Sequence, residues 1–382
     1  MNKNTRTAQL TFFLMDLDGG GAERAIISLA GEIAKRDVNV DLVVGDASSR
    51  YRSEVSPDVN LIDFDTRSKW RVFIKLLDYL KTGRPSAIMS ALDWANVFLV
   101  LASKIACYRG RVIVSQRAVI DATLNELRPS RRFIMNSLLK FCFSRADKVV
   151  SNSFAASSEV VERWNVLPSK LATIQNSIDL KRIQSLANEP IEDLKGVDPS
   201  VPLVVAVGSL SERKDFITLI RAFALVLAQK DVELLILGEG PQRSMLETIA
   251  RKFEVAHKVH LPGFDQNPYK WIKISSVFVS SSTGEGFPNV LAEALSLGRQ
   301  IVATDCPGDT CRLLENGKWG RLVPVGDHSA MATEIIAALD FPLSNVGTAR
   351  AADFSPSRNA DQYIRVLMPT ERMNSVSTQE HS

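Results

Sequence analysis

The feature that most limits what this chain can become is a rhythm of short apolar runs alternating with helical stretches, and the rhythm starts twice. Leu10 to Met15 reads as a buried strand, Gly19-Gly20-Gly21 as a tight turn, Ala22 to Lys35 as a helix and Val40 to Val44 as the next strand. Apolar runs at 87–92, 112–115 and 148–152 continue the series, with 171–176 as a candidate closing strand. Strands separated by helices pair in parallel, under helices on both faces. The series restarts with a strand at Leu203 to Val207, a helix over 215–229 and a strand at Val232 to Leu237. Helices near 242–254, 288–297 and 328–339 then alternate with strands near 258–261, 276–281 and 300–304. Between the halves, Asn188 to Pro202 carries Pro190, Gly196, Pro199 and Pro202 among charges and reads as a linker. The expected fold is α/β, two facing Rossmann-like domains with parallel sheets and a cleft between them. Their expected bounds are 1–187 and 203–355 with a linker over 188–202, then a final helix over 356–368 and a loose tail over 369–382. In open sheets of this kind, ligands sit outside the carboxyl ends of the strands.

Composition removes several classes of function. At 382 residues, with 45% hydrophobic and 23% charged residues, the chain has enough apolar material for two cores. A net charge of +3 lacks the strong basic bias of a dedicated nucleic-acid binder. Cys107, Cys142, Cys306 and Cys311 form no CxxC pair, which fits reduced thiols in a cytoplasm. His257 and His260 lie close together, but no cysteine or acidic cluster joins them, so no metal site is expected. The run Leu10 to Met15 is short for a signal-peptide core and is followed at once by Asp16 and Asp18. No stretch approaches the eighteen or so apolar residues of a spanning helix. The expected location is the cytoplasm, extending to the inner face of the membrane.

The segment richest in chemistry runs from Ser280 to Ala294, Ser-Ser-Ser-Thr-Gly-Glu-Gly-Phe-Pro-Asn-Val-Leu-Ala-Glu-Ala. It leaves a strand through small residues, turns on Gly284 and Gly286, and enters a helix with Pro288 at the favoured first position. A helix N-terminus so placed aims free backbone N–H groups at a ligand and suits a phosphate. Helix rise separates Pro288 from Glu293 by about 7 to 8 Å, so Glu285 and Glu293 can grip different parts of one molecule. A carboxylate that accepts two vicinal hydroxyls is a common hold on ribose.

With two glutamates separated by seven residues around a Glu-Gly-Phe-Pro-Asn core, the sequence resembles glycosyltransferase family 4, retaining enzymes of the GT-B fold. The resemblance implies that Glu293 binds the nucleotide ribose and Glu285 the donor sugar. It gives the amides around Phe287, Asn289, Val290 and Leu291 to the sugar and diphosphate. In Val207-Gly208-Ser209-Leu210-Ser211-Glu212-Arg213-Lys214, Lys214 would clamp the diphosphate, with Arg213 assisting. Many relatives carry an arginine where this chain has Ser209, and whether Arg213 replaces it is open. Gly238 to Pro241 and Pro262-Gly263-Phe264 resemble places that border the nucleotide base; either is also readable as a surface turn. The loop holding Gly20 and Gly21 would face the donor diphosphate and the acceptor. Ser115-Gln116-Arg117 follows a strand and would also face the cleft, while Asn176, Ser177 and Asp179 read as structural.

The chain has no histidine before His257, which excludes histidine base catalysis from the first half and suits front-face retention, with the leaving phosphate taking the acceptor proton. The expected activity is transfer of a sugar from a nucleotide diphosphate donor, UDP-linked, to a saccharide or lipid-linked saccharide acceptor in polysaccharide or lipopolysaccharide assembly. No cofactor beyond the donor, no metal and no nucleic-acid partner are expected. Between Lys104 and Lys148 basic residues outnumber acidic ones around the apolar run Phe133 to Phe143. That pattern fits peripheral membrane contact, and equally a buried helix with a solvated basic rim. The rival readings are a nucleotide-sugar 2-epimerase of the same architecture, a catalytically silent nucleotide-sugar binder and an NAD-dependent oxidoreductase. The last is weakened because Arg24 breaks the glycine fingerprint.

Overall fold

The computed structural model describes residues 10–17, 21–36, 38–48, 51–117, 129–344 and 347–368, and these form two compact units. The first contains strands β1 (Leu10–Asp16), β2 (Val40–Asp46), β3 (Asn60–Asp63), β4 (Ala87–Ala91), β5 (Arg111–Gln116), β6 (Lys148–Ser151) and β7 (Leu171–Thr173). They pair in the order β3-β2-β1-β4-β5-β6-β7, every pair parallel. Helices α1 (Gly21–Ala34), α2 (Lys69–Thr82), α3 (Asp93–Ile105), α4 (Pro129–Arg145) and α5 (Phe154–Trp164) cover the sheet. The interior strands carry apolar side chains in both directions because both faces are covered; all five residues of β4 are buried. On α1, Ile26, Ile27, Leu29, Ala30 and Ile33 fall on the 3.6-residue period and supply one core, while Val72, Leu76 and Leu80 of α2 enter the core on the other face.

The second unit repeats the plan after α6 (Leu180–Ala187), with strands β8 (Leu203–Val207), β9 (Glu233–Leu237), β10 (Val259–Gly263), β11 (Val277–Ser280), β12 (Gln300–Thr304) and β13 (Arg321–Val323). Their order is β10-β9-β8-β11-β12-β13, again parallel throughout. The helices are α7 (Phe216–Leu227), α8 (Arg243–Lys252), α9 (Tyr269–Ile274), α10 (Asn289–Ser296), α11 (Thr310–Leu313), α12 (His328–Asp340) and α13 (Thr348–Ala352). In each sheet the order reverses once, between β1 and β4 and between β8 and β11. Loops leaving the two strands at such a point diverge, which opens a crevice at their carboxyl ends.

One expectation is corrected. The division falls between Ser177 and Ile178, not across 188–202. Ile178, Ile183 and Val197 are buried in the second unit's core, and Asn267 Nδ2 donates to Leu186 O and Glu189 Oε2 at 2.8 Å each. The presumed linker is therefore packed chain. The final helix forms over the expected stretch as α14 (Pro356–Leu367), and it belongs to the first unit: the chain returns after Ser355, and Ala360, Tyr363 and Leu367 complete that unit's core. The tail over 369–382 lies outside the described residues. Among the described residues no helix is long and apolar enough to cross a membrane.

Candidate active site

The crevice at the carboxyl ends of β8 and β11 is built by two loops that hold each other through the backbone. Thr283 N–H donates to Arg213 O at 2.8 Å, and Ser281 Oγ donates to Lys214 O at 2.7 Å. Asp215 ends the first loop in the left-handed region (φ 42°) and caps α7 by accepting from Thr218 N–H. This fixes the two residues before it, Arg213 and Lys214, over the crevice. Lys214 reaches inward across Gly208, where a β-carbon would stand 3.1 Å from its Cε, so the aliphatic stem occupies the space a side chain would fill.

Glu285 is the centre of the arrangement. Its side chain is 9% exposed, and its two oxygens accept from Lys214 Nζ at 2.5 Å, Arg213 Nη1 at 2.8 Å and Ser282 Oγ at 2.7 Å. Burial pushes the carboxyl pKa up, but the charges of Lys214 and Arg213 and the hydrogen bonds from Lys214 and Ser282 outweigh it and hold Glu285 below the ordinary glutamate value. The loop after β12 fixes its backbone: Glu285 N–H donates to Pro307 O at 3.0 Å, and Asp309 N–H to Gly286 O at 3.1 Å. Gly308 (φ 134°) lies so close beneath that a β-carbon would come within 1.8 Å of Glu285 O. Burial and the nearby Glu285 charge push the Cys306 thiol up, leaving it protonated at neutral pH.

From this turn the chain enters α10. Pro288 caps the helix instead of opening it, its carbonyl accepting from Ala292 N–H at 3.2 Å, and Asn289 is the first helical residue. The helix thus starts one residue later than expected. The consequence for anion binding is the same, because Val290 and Leu291 N–H lie in the first turn. Phe287 is buried against Phe354, ring centroids 5.2 Å apart, which anchors the turn. Arg213, Lys214, Ser282, Glu285, Phe287 and Asn289 line a cavity of about 180 Å³ together with Val290 and Leu291.

Other expected residues lie elsewhere. Glu293, one turn further along α10, accepts from Tyr269 Oη at 3.2 Å. Gly263 and Phe264 border a separate cavity of about 540 Å³ beside Trp271, with Phe264 70% exposed. Gly238 N–H donates to Gly263 O at 2.9 Å, and Leu210 N–H to Glu239 O at 2.9 Å, so the loops after β8, β9 and β10 are laced together. Glu239 pairs with Arg243 at 2.6 Å. Gly21 opens α1 in the first unit, and Gly20 lies outside the described residues. The sequence alone does not single out Ser282, Tyr269 or the Pro307-Gly308 support. The Pro-Gly pair after a strand is the one local signal for the last of these.

Two doubly wound units, with a cation pair and a buried glutamate beneath a helix N-terminus in the second, define a glycosyltransferase of the GT-B fold. The chain belongs to glycosyltransferase family 4: residues 19–182 match that family's own description, and residues 201–340 match "Glycosyl transferases group 1". It is 27% identical over 331 residues to the N-acetylgalactosamine-N,N'-diacetylbacillosaminyl-diphospho-undecaprenol 4-alpha-N-acetylgalactosaminyltransferase of Campylobacter jejuni, covering 85% of this chain and 88% of that one. Among solved structures, a glycosyltransferase from Rickettsia africae superposes with a TM-score of 0.74 over 97% of this chain and 99% of the other at 16% identity. HepE of Anabaena, solved in complex with UDP, gives 0.72 over 97% and 100% at 17% identity.

Proposed function

We propose that the protein moves a sugar from a UDP-linked donor to a saccharide carried on a lipid diphosphate, with retention of anomeric configuration, in the assembly of a bacterial surface glycan. The observation that carries this reading is the charge arrangement at Glu285. Without ligand, its carboxylate neutralises Lys214 and Arg213. An incoming diphosphate competes for both cations, since N–H donors pair at least as well with phosphate oxygens as with a carboxylate. Glu285 is then released to accept hydroxyls of the donor sugar, and Arg213 supplies the second positive charge that Ser209 cannot. The first-turn amides of α10 receive the phosphate adjoining the sugar, and Glu293 accepts the ribose hydroxyls.

In the reaction, the bond between the anomeric carbon and the diphosphate oxygen breaks and a bond from the acceptor oxygen forms on the same face. The acceptor hydroxyl proton passes to the departing phosphate oxygen. Lys214 and Arg213 stabilise the charge that builds on the leaving group. The Campylobacter relative's name, with its diphospho-undecaprenol acceptor, supports the lipid-linked acceptor, and HepE's complex supports UDP.

An outer helical face of the first unit fits work at the inner membrane surface. Trp70 of α2 is 70% exposed and Phe133 of α4 is 74% exposed, with Ile74, Trp94 and Ile134 also open to solvent. Trp70 stacks on Phe73 at 5.9 Å, and Lys69 Nζ sits 4.6 Å over the Trp94 ring. Basic residues on α2 and α4 far outnumber the single Asp78. Apolar rings among cations match an anionic bilayer surface.

The test is a panel of UDP-, GDP- and ADP-sugars incubated with the full chain without acceptor, scored for free nucleotide. A UDP-sugar should be hydrolysed, and Lys214→Ala should lower that turnover at least about tenfold. Release from GDP- or ADP-sugars alone would overturn the donor assignment.

A further inference from the structure

The first unit holds a cluster of buried polar atoms that bond to nothing. At the carboxyl ends of β5 and β6, Ser115 Oγ, Arg117 Nε and Asn152 Oδ1 are all enclosed and have no hydrogen-bond partner, although Ser115 is only 1% exposed and Asn152 only 5%. Strand alternation puts them together. Ser115 pairs in register with Val150, so Arg117 and Asn152, each two residues further along, fall on the same side of the sheet. Asn152 Nδ2 donates to Arg117 O at 3.1 Å, which ties the two strand ends. Ser151 Oγ is also unpartnered but faces the other way.

The guanidinium is held rigidly. Its Nη1 donates to Asn176 Oδ1 at 3.3 Å and its Nη2 to Tyr363 Oη at 2.9 Å, Tyr363 being a fully buried residue of α14. Both partners are neutral, and among the described residues no carboxylate pairs with Arg117. A cation fixed by two neutral groups, with its third donor direction and two neighbouring polar atoms unused, is poor design for stability alone. Such sets are kept where a ligand completes them.

We infer that Ser115, Arg117 and Asn152 form a second oxyanion site, which takes the diphosphate of the lipid-linked acceptor. The inference rests on the transfer reading above. Arg117 Nε–H and the Ser115 hydroxyl donate to phosphate oxygens, and Asn152 Oδ1 accepts a hydroxyl of the sugar next to the phosphate. Arg117 supplies the fixed charge, and Asn176 and Tyr363 position it.

The experiment titrates inorganic pyrophosphate into the full chain saturated with UDP, by calorimetry, for the wild type, Arg117→Gln and Ser115→Ala. The wild type should bind pyrophosphate beside UDP. Arg117→Gln should weaken it at least about tenfold, the loss of a charge-assisted contact, and Ser115→Ala several-fold, with UDP affinity unchanged in both. Ser115→Ala also separates a ligand role from a structural one. Removing an unpartnered buried hydroxyl should leave Tm unchanged or raise it, whereas a structural hydroxyl would lower Tm. If Arg117→Gln fails to fold, Ser115→Ala and Asn152→Ala carry the test. The assignment is overturned if UDP-saturated wild type does not bind pyrophosphate, if UDP displaces it, or if the variants keep wild-type affinity. Should UDP itself not bind, the donor reading falls, and the titration without nucleotide still decides this site by the same variants.

Discussion

At the scale of single residues, the second unit's site rests on contacts between groups far apart in the chain, with Lys214 and Arg213 meeting Glu285 across 71 and 72 positions. The role proposed for Glu293 is simpler, because a carboxylate that accepts two ribose hydroxyls makes two charge-assisted hydrogen bonds. Glu293→Ala should weaken UDP binding by about 2 to 4 kcal/mol in calorimetry, and unchanged affinity would remove the residue from the ribose. The cations lead to a second expectation. With Lys214, Arg213 and the first turn of α10 directed at the diphosphate, activity should survive exhaustive EDTA. If turnover is lost and millimolar magnesium or manganese restores it, charge neutralisation is ionic, and Asp16 at the end of β1 becomes the first residue to examine. The turns that carry Glu285, Glu293 and Lys214 are legible in the sequence because turn, cap and spacing are local. Ser282 and Tyr269 are not, because a serine in a run of serines and a tyrosine on a short helix acquire meaning only from a partner.

Elements are legible in proportion to their burial. β1, β4, β8, β9 and β12 are each built on at least three consecutive apolar residues and lie within a residue or two of the expected bounds. The edge strands β3, Asn-Leu-Ile-Asp, and β13, Arg-Leu-Val, give no such signal, because a short, half-buried edge needs no run of apolar residues. Helix α4 shows the reverse: its sequence leaves burial and membrane contact open, and its core side is Met135, Leu139, Cys142 and Phe143 while Phe133 and Ile134 stay exposed. If α2 and α4 meet lipid, the protein should sediment with phosphatidylglycerol vesicles and not with neutral ones. The Trp70→Ala, Phe133→Ala double variant should lower that partitioning at least about tenfold without changing turnover on soluble donor. No binding to either kind of vesicle, or unchanged partitioning of the double variant, would leave these rings without a lipid role.

For the whole molecule, composition is a poor guide to the domain boundary. Prolines and charges at 188–202 mark a surface segment, whereas the division is set by which core Ile178 and Ile183 enter. The destination of α14 is equally hidden, since an amphipathic helix does not name the sheet it will cover. A chain ending at Ser355 would leave the site of Ala360, Tyr363 and Leu367 empty in the first core. Scanning calorimetry of that truncation should show a transition lost or moved down by several degrees beside an unaltered second-unit transition. A single unshifted profile would mean that α14 contributes no stability.

The same helix sets an order of events during synthesis. Residues 1–177 leave the ribosome first, but the segment that closes their core comes last, after all of 178–355. At about 5 to 20 residues per second, the growing chain carries an unfinished first unit for roughly 10 to 35 s while the second, made of one continuous stretch, is free to fold as it appears. The half that is made first is therefore the half that finishes last, and it is the one that must be shielded from its neighbours on the polysome.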